Sequence, residues 1–160
     1  MRAFGMLMLM AVSMPYAMAD CRITNSELEQ MNVRQARLRG PDERRVDLQV
    51  HVADSGRERA AGFQHVCPET AESTSILFLF ANPHVPSFHM RNVYMPLDIA
   101  FIDDSGVIRD IQTMQPYIIG TREMTLWSPP VPIVAALEVR GGLFEELGIT
   151  ENEWSISLQR

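Results

Sequence analysis

The chain has 160 residues, of which 14 are basic and 20 acidic, so its formal net charge at neutral pH is −6. This length suits one domain rather than several. An acidic chain lacks the long-range attraction to phosphate that non-specific nucleic-acid binding requires, so the composition argues against a nucleic-acid partner.

The first 19 residues have the three-part layout of a secretory signal peptide. Arg2 supplies the positive start, residues 3–12 form an apolar run, and Ala17-Met18-Ala19 is a small-x-small cleavage site. The run is shorter than the ~20 apolar residues that a membrane-spanning helix needs. We therefore expect cleavage near Ala19, export to a periplasmic or extracellular compartment, and no transmembrane segment in the mature chain. An uncleaved N-terminal anchor is the alternative.

Cys21 and Cys67 are the two cysteines of the chain. An exported chain meets an oxidising compartment, where an even number of cysteines usually forms disulfides, so a Cys21–Cys67 disulfide is predicted. It would tie down an N-terminal arm, residues 20–44. Two alternatives stay open. Cys21 could be a lipid-modified N-terminal cysteine, which Asp20 disfavours, or Cys67 could be a nucleophile assisted by His65, which needs a free thiolate.

The first half of the domain expected at residues 45–160 shows strand and helix patterns. Arg45–Ala53 alternates apolar and polar residues, as a half-buried strand does. The capping-box pattern that opens Ser55–Phe63 predicts a short helix. Ile76–Phe80 is a continuous apolar run, too short for a helix, and predicts a strand covered on both faces. The segment between these last two elements is expected to be a loop.

The second half continues with short strands. Leu97–Ile102 is a covered strand, which a turn joins to residues 107–114 in a predicted hairpin. Residues 115–132 form a long Pro-rich loop, which is either functional or conceals a short strand. Trp127 in this loop either plugs the core or stands at a binding surface. Further elements are expected at Ser87–Arg91, Ile133–Arg140 and Trp154–Leu158 (strands) and at Leu143–Gly148 (a helical turn).

The elements add up to seven or eight short strands and two short helices. Many short strands separated by turn signals are typical of a mainly β fold, a sandwich or a partly open barrel. No strand alternates with a long helix, so a doubly wound parallel sheet is disfavoured.

Asp98 and Glu138 are the two carboxylates that lie inside apolar strands. A buried carboxylate is costly unless it is paired or hydrogen-bonded. Each is therefore an anchor within the fold, or a polar floor in a ligand pocket. A pair acting as general acid and base is a third interpretation, since such a pair could support hydrolysis.

The candidate ligand-binding surface mixes polar and apolar residues on strand positions that a purely structural domain would fill with aliphatic residues. Its members are Phe88, Met90, Asn92, Met95, Asp98 and Glu138. A second set of soft ligands overlaps it and would suit copper in an exported protein. That set comprises His84, His89, Met90 and Met95. Its spacing matches no known metal motif, and methionine more often fills core gaps, so no cofactor is expected.

The usual enzyme motifs are missing from the sequence. It contains no G-x-S-x-G, H-E-x-x-H, Walker A, C-x-x-C or EF-hand pattern. No catalytic residue is therefore assigned.

Phe88–Asn92, followed by Met95–Asp103, resembles the central motif of DUF192, a family of unknown function. Arg57–Gly62 is similar to its early helix and Ile76–Phe80 to its first core strand. Its closing portion is matched by Leu137–Val139, Gly142 and the turn Leu147–Ile149. The resemblance implies a compact, jelly-roll-like β sandwich. It implies no activity.

The chain departs from the family pattern at three places. His89 stands where the family usually has tryptophan, Arg91 where it has lysine, and Phe63-Gln64 where it has Leu-Met.

Taken together, the sequence predicts an exported binding or accessory module for an unknown small molecule or an envelope protein. A copper-handling protein and a hydrolase using Asp98 and Glu138 are the alternatives.

Overall fold

The computed structural model describes residues 21–117 and 123–159. The predicted signal peptide lies outside these described residues. Within them the chain forms nine strands and four short helices. The strands are β1 (Asn32–Arg39), β2 (Arg45–Ala53), β3 (Ile76–His84), β4 (Phe88–His89), β5 (Leu97–Ile102), β6 (Ile108–Met114), β7 (Leu126–Trp127), β8 (Ile133–Arg140) and β9 (Ser155–Leu158). The helices are α1 (Ser26–Gln30), α2 (Gly56–Ala61), α3 (Pro68–Ala71) and α4 (Leu143–Leu147).

Seven strands form one mixed sheet in the order β6-β5-β8-β3-β2-β1-β9, and β4 pairs with β7 in a separate ribbon. Strands β2 and β3 run parallel, whereas the other neighbours run antiparallel. The sheet is open, but its two edges meet at one end. There Val107 bridges to Ser155, and the Ile108 amide donates to the Trp154 carbonyl at 2.9 Å. The predicted mainly β fold is confirmed, as an open sheet rather than a closed barrel.

The sheet carries an apolar cluster on each face, and its central strands are therefore buried on both sides. Phe78 and Ile99 belong to the first cluster, which the segments around α1, α2 and α3 also build. Leu77 and Ala100 belong to the second cluster, together with Trp154. We call these the first core and the second core. The predicted double burial of Ile76–Phe80 and Leu97–Ile102 follows from this alternation.

The described residues form four helices, whereas two were predicted. The predicted capping box of α2 is present: the Glu58 amide donates to Ser55 Oγ, and the Ser55 amide donates to the Glu58 carboxylate at 2.9 Å. This helix ends at Ala61, two residues before the expected Phe63, because Gly62 takes a positive φ of 46°. The additional helix α3 interrupts what was expected to be a loop. No helix in the described ranges has the length and apolar character needed to cross a membrane.

Three strand boundaries also differ from expectation. The strand predicted at Ser87–Arg91 is only the two-residue β4, which pairs with a short strand inside the long Pro-rich loop. Strand β3 continues to His84, beyond the expected end at Phe80. Strand β1 falls within the segment expected to be an arm, and it lies in the sheet between β2 and β9.

The predicted disulfide joins Cys21 to Cys67, with their Cα atoms 4.9 Å apart. Both sulfur atoms are therefore used, and neither of the alternatives for a free cysteine fits this structure. The linkage continues in the backbone, where the Arg22 amide donates to the His65 carbonyl and the Cys67 amide to the Arg22 carbonyl, both at 2.7 Å. The bridge thus fixes the N-terminal segment against the chain that follows α2.

Candidate functional site

A cavity of about 250 Å³ lies on the first-core face of the sheet, between the sheet and the two segments that cover it. The first covering segment runs from α2 to the turn after it, and the second includes β4. The lining residues are Arg59, Ala60, Ala61, Gly62, Phe63, Gln64, Phe78, Phe80, Pro86, Ser87, Phe88, His89, Met90, Val93, Leu97 and Glu138. The wall is therefore mostly aromatic and aliphatic, and its polar groups are few, which is the usual character of a small-molecule site.

The aromatic wall is built from rings that contact one another. Phe78 and Phe88 meet edge to face, with ring centroids 5.5 Å apart and an interplanar angle of 85°. Phe88 also packs on Phe101 at 5.8 Å. Such contacts add about 0.5–1.5 kcal/mol per pair to the burial of the rings. In the β4–β7 ribbon the backbone of Phe88 pairs with Trp127, and both side chains pack against the first core.

Glu138 is the acidic residue of this wall, and it comes from the middle of the sheet. On β8 it pairs with Ile76 of β3 on one side and with Ile99 of β5 on the other. Only 6% of the residue is exposed. Burial raises the pKa of the Glu138 carboxyl to about 8, so the acid is mainly protonated at pH 7. No hydrogen bond to this carboxyl comes from residues 21–117 or 123–159.

Asp98 is also buried, with 3% of the residue exposed, but unlike Glu138 it is hydrogen-bonded within the fold. It pairs with Val139, whose side chain belongs to the second core, so Asp98 points away from the cavity. Its carboxylate accepts hydrogen bonds from the Thr113 hydroxyl and the Gly142 amide, both at 2.8 Å. Gly142 is the N-cap of α4. Asp98 therefore anchors the start of that helix, and the two acids do not converge as a hydrolytic pair would require.

The structure brings half of the sequence-predicted surface together in the cavity: Phe88, Met90 and Glu138. Asn92 and Met95 do not line it. Asn92 takes a positive φ of 57° and accepts the His65 amide at 2.7 Å through its carbonyl, while its side chain donates to Gln64 at 3.3 Å. It thus braces the turn after α2 from outside. Met95 packs against the first core.

The soft-ligand set is divided between the cavity and its surroundings. His89 and Met90 line the cavity, and Met90 is 1% exposed within the first core. His84 instead packs edge to face on the Phe80 ring at 4.7 Å. Within the described ranges, no three or more His, Cys, Asp or Glu side chains are grouped to hold a metal ion.

Sequence reasoning did not identify several wall residues, above all Arg59, Phe78 and Phe80. Arg59 Nη1 donates to the carbonyls of Asp54 at 2.6 Å and Leu79 at 2.9 Å. Its guanidinium also lies over the Phe80 ring, 5.6 Å from the centroid. One signal was available: Phe78 and Phe80 alternate with aliphatic residues, so both aromatic rings had to share one face of a doubly covered strand.

Solved structures similar to this chain share its fold. One is a protein of Sinorhizobium meliloti 1021 described as a candidate transcription regulator, with a TM-score of 0.71, 25% identity, and coverage of 80% of this chain and 95% of that one. Another is a protein of unknown function from Novosphingobium aromaticivorans DSM 12444, with a TM-score of 0.71, 24% identity, and coverage of 88% and 96%. No curated protein matches the chain.

The family model of DUF192, described as "Uncharacterized ACR", matches residues 37–154. This range includes most of the sheet, the aromatic wall of the cavity and both buried acids. The family expected from the central motif is thereby confirmed: this chain is a member of DUF192.

Proposed function

We propose that this protein is an exported domain that binds a small ligand in the cavity beside Glu138. The observation that supports the proposal is the Glu138 carboxyl itself, which is buried in the cavity wall with no hydrogen bond from the described residues. Burial of a carboxyl group costs free energy, and a ligand that hydrogen-bonds to it would offset that cost.

The size and lining of the cavity limit the ligand. Its volume of about 250 Å³ lies just below the ~300–1,000 Å³ of pockets that take drug-sized molecules. The ligand is therefore a compact molecule, or one end of a longer one. Phe88 and Met90 offer apolar contacts, and Glu138 offers one polar contact that fixes the orientation.

The neighbouring acid does not extend this role to hydrolysis. Asp98 is held on the other face of the sheet by Thr113 and Gly142, and among the described residues that line the cavity Glu138 is the one carboxyl group. The description of the Sinorhizobium meliloti protein as a transcription regulator is not carried over to this chain, because a net charge of −6 disfavours contact with nucleic acid.

A thermal-shift screen of chemically diverse small molecules tests the proposal. A ligand that binds only the folded state stabilises it by RT ln(1 + [L]/Kd), about 2.7 kcal/mol at 100 times Kd. We expect Glu138→Gln and Phe88→Ala to weaken binding of any ligand found. Glu151→Gln is the matched control, because Glu151 is exposed in a turn away from the cavity. A ligand whose affinity is the same in all three variants would place the site elsewhere, and a panel without any hit would count against a ligand-binding role.

Export is supported by two independent features, the signal-peptide pattern of residues 1–19 and the Cys21–Cys67 disulfide. We expect expression of the full chain in a bacterial host to yield a mature protein that starts at Asp20. Intact-mass measurement of the purified protein checks this. Recovery of a chain that retains residues 1–19 and stays with the membrane fraction would instead indicate the N-terminal anchor.

A further inference from the structure

We propose that the ligand of this cavity is a small organic cation, an ammonium group on an apolar body, with its charge placed between Glu138 and the phenylalanine rings. The inference rests on the proposed function, since it names the ligand class of the same site. Three features support it: two of the cavity and one of the chain as a whole.

The first feature is the number of aromatic rings. Phe63, Phe78, Phe80 and Phe88 all line the cavity. The face of an aromatic ring carries negative electrostatic potential and attracts cations within about 6 Å of its centroid, and aromatic groups of this kind recognise ammonium ligands. The cavity rim already holds one such contact, because the Arg59 guanidinium lies 5.6 Å from the Phe80 centroid.

The second feature is the distribution of charge around the cavity. Among the described residues, the titratable side chains that line the cavity are Arg59 on α2, His89 on β4 and Glu138 on β8. Arg59 is held at the rim by the carbonyls of Asp54 and Leu79. No other lining residue is acidic, and Glu138 lies among aliphatic neighbours of the sheet without a counter-charge from the described residues. An ammonium ligand would supply that counter-charge.

The third feature is the overall charge of −6, which attracts cations and repels anions at a distance.

Binding of a cation beside Glu138 is accompanied by the release of a proton. The empty site holds Glu138 as a neutral acid at pH 7, since burial raises its pKa to about 8. When the ammonium enters, the Glu138 carboxyl gives its proton to solvent and the ligand keeps its own charge. The bound pair is therefore an ammonium against a carboxylate, with one proton released.

A neutral ligand would behave differently, which makes the two classes separable. A molecule that accepts a hydrogen bond needs the protonated form of Glu138, so its affinity would fall as the pH rises through 8 and no proton would be released. A cation needs the ionised form, so its affinity would rise over the same range.

The experiment compares by calorimetry three probes that share a phenyl group and differ in charge: benzyltrimethylammonium, benzyl alcohol and benzoate. The charge of the first probe does not depend on pH. For it we expect an affinity that rises roughly 20-fold from pH 6.5 to pH 8.5, as follows from ionisation of an acid with a pKa of about 8. Buffers of different ionisation enthalpy should show close to one proton released at pH 7. Glu138→Gln should abolish this response, whereas Glu151→Gln and His89→Gln should retain it.

The outcomes separate this inference from the function on which it rests. If benzyl alcohol binds and benzyltrimethylammonium does not, the cation is wrong and a small-ligand site remains. If His89→Gln removes the pH dependence, Glu138 is not the group that recognises the charge. If none of the probes binds and no molecule of the wider screen does, both the ligand class and the site are refuted.

Discussion

Glu138 pairs across the sheet with Ile99, the residue that follows Asp98, so the two buried acids point to opposite faces. Asp98 is bonded by Thr113 and by the Gly142 amide, whereas Glu138 faces a cavity. Two acids in adjacent strands therefore have separate roles, one in the scaffold and one in the proposed site. The difference can be measured by changing each acid to its amide.

Asp98→Asn should destabilise the fold. The aspartate carboxylate accepts from two donors, whereas an asparagine keeps one acceptor oxygen and has an NH2 group in place of the other, so at least one charge-assisted bond, to the Thr113 hydroxyl or to the Gly142 amide, is lost. A hydrogen bond to a charged group contributes about 1.5–3 kcal/mol. Urea denaturation at pH 7 measures the loss. Asp104→Asn is the control, because this residue is exposed in a turn and the change should stay within about 0.5 kcal/mol. Equal effects in the two variants would argue against the anchoring role.

Glu138→Gln should change the pH dependence of stability. The pKa of the carboxyl rises from 4.5 in the unfolded chain to about 8 in the fold. Between these values the folded state holds a proton that the unfolded state has lost, so the free energy of unfolding of the wild type falls by about 1.4 kcal/mol per pH unit. Below 4.5 both states are protonated and above about 8 both are ionised, so the dependence ends at each limit.

The measurement is a series of urea denaturations from pH 4.5 to pH 8.5 for the wild type and for Glu138→Gln. Subtracting the variant curve removes the contribution of every other titrating group. We expect the wild type to lose stability relative to the variant as the pH rises. Parallel curves would mean that the Glu138 carboxyl is not buried as an acid, and the electrostatic basis of the proposed site would fail with it.

Reduction of the Cys21–Cys67 disulfide should destabilise the protein and loosen one wall of the cavity. The bridge spans 46 residues of sequence, and closing a loop of that length stabilises by about 4 kcal/mol in the chain-entropy model. The same segment is tied to the cavity wall, because the Asn25 side chain donates to the carbonyls of Gly62 at 3.0 Å and Gln64 at 3.1 Å.

Denaturation with and without reductant measures the stability change, and hydrogen exchange shows where protection is lost. We expect the loss to include the amides of residues 62–67. The double variant Cys21→Ser with Cys67→Ser is the control, since reductant should leave it unchanged. A reductant effect of the same size in that variant would mean that the bridge is not the cause.

The strands that the sequence predicted well are those in which one segment carries its own signal. Arg45–Ala53 alternates cleanly, and Leu97–Ile102 is apolar at every position except Asp98, so each could be interpreted without knowledge of its partners. The same holds for the capping box of α2, where Ser55 and Glu58 are close in sequence. Local patterns of this kind fix an element because the residues that decide it are neighbours.

The site could be predicted only in part, because it depends on pairing between distant segments. Asp98 and Glu138 look alike in sequence, and the register of β5 against β8 alone determines which acid faces the cavity. The pairing of Phe88 with Trp127 likewise joins two short strands across a long stretch of chain. Two-residue strands carry no periodicity, so the sequence indicated a strand around Phe88 but not its pairing with Leu126–Trp127.

Gly40→Ala should be strongly destabilising, because the added methyl group has no space. A Cβ at this position would lie 2.4–2.7 Å from atoms of the Trp154 indole ring. That ring is 1% exposed in the second core, with the Arg44 guanidinium 5.0 Å from its centroid, so it cannot move aside. Overpacking of a tight core costs about 1–3 kcal/mol.

Gly56→Ala is the matched control, since nothing lies within 4 Å of its added Cβ and it starts α2. Alanine there should leave stability unchanged or raise it by up to about 1 kcal/mol. Urea denaturation of both variants gives the comparison, and a Gly40→Ala protein as stable as Gly56→Ala would refute the close packing of Trp154.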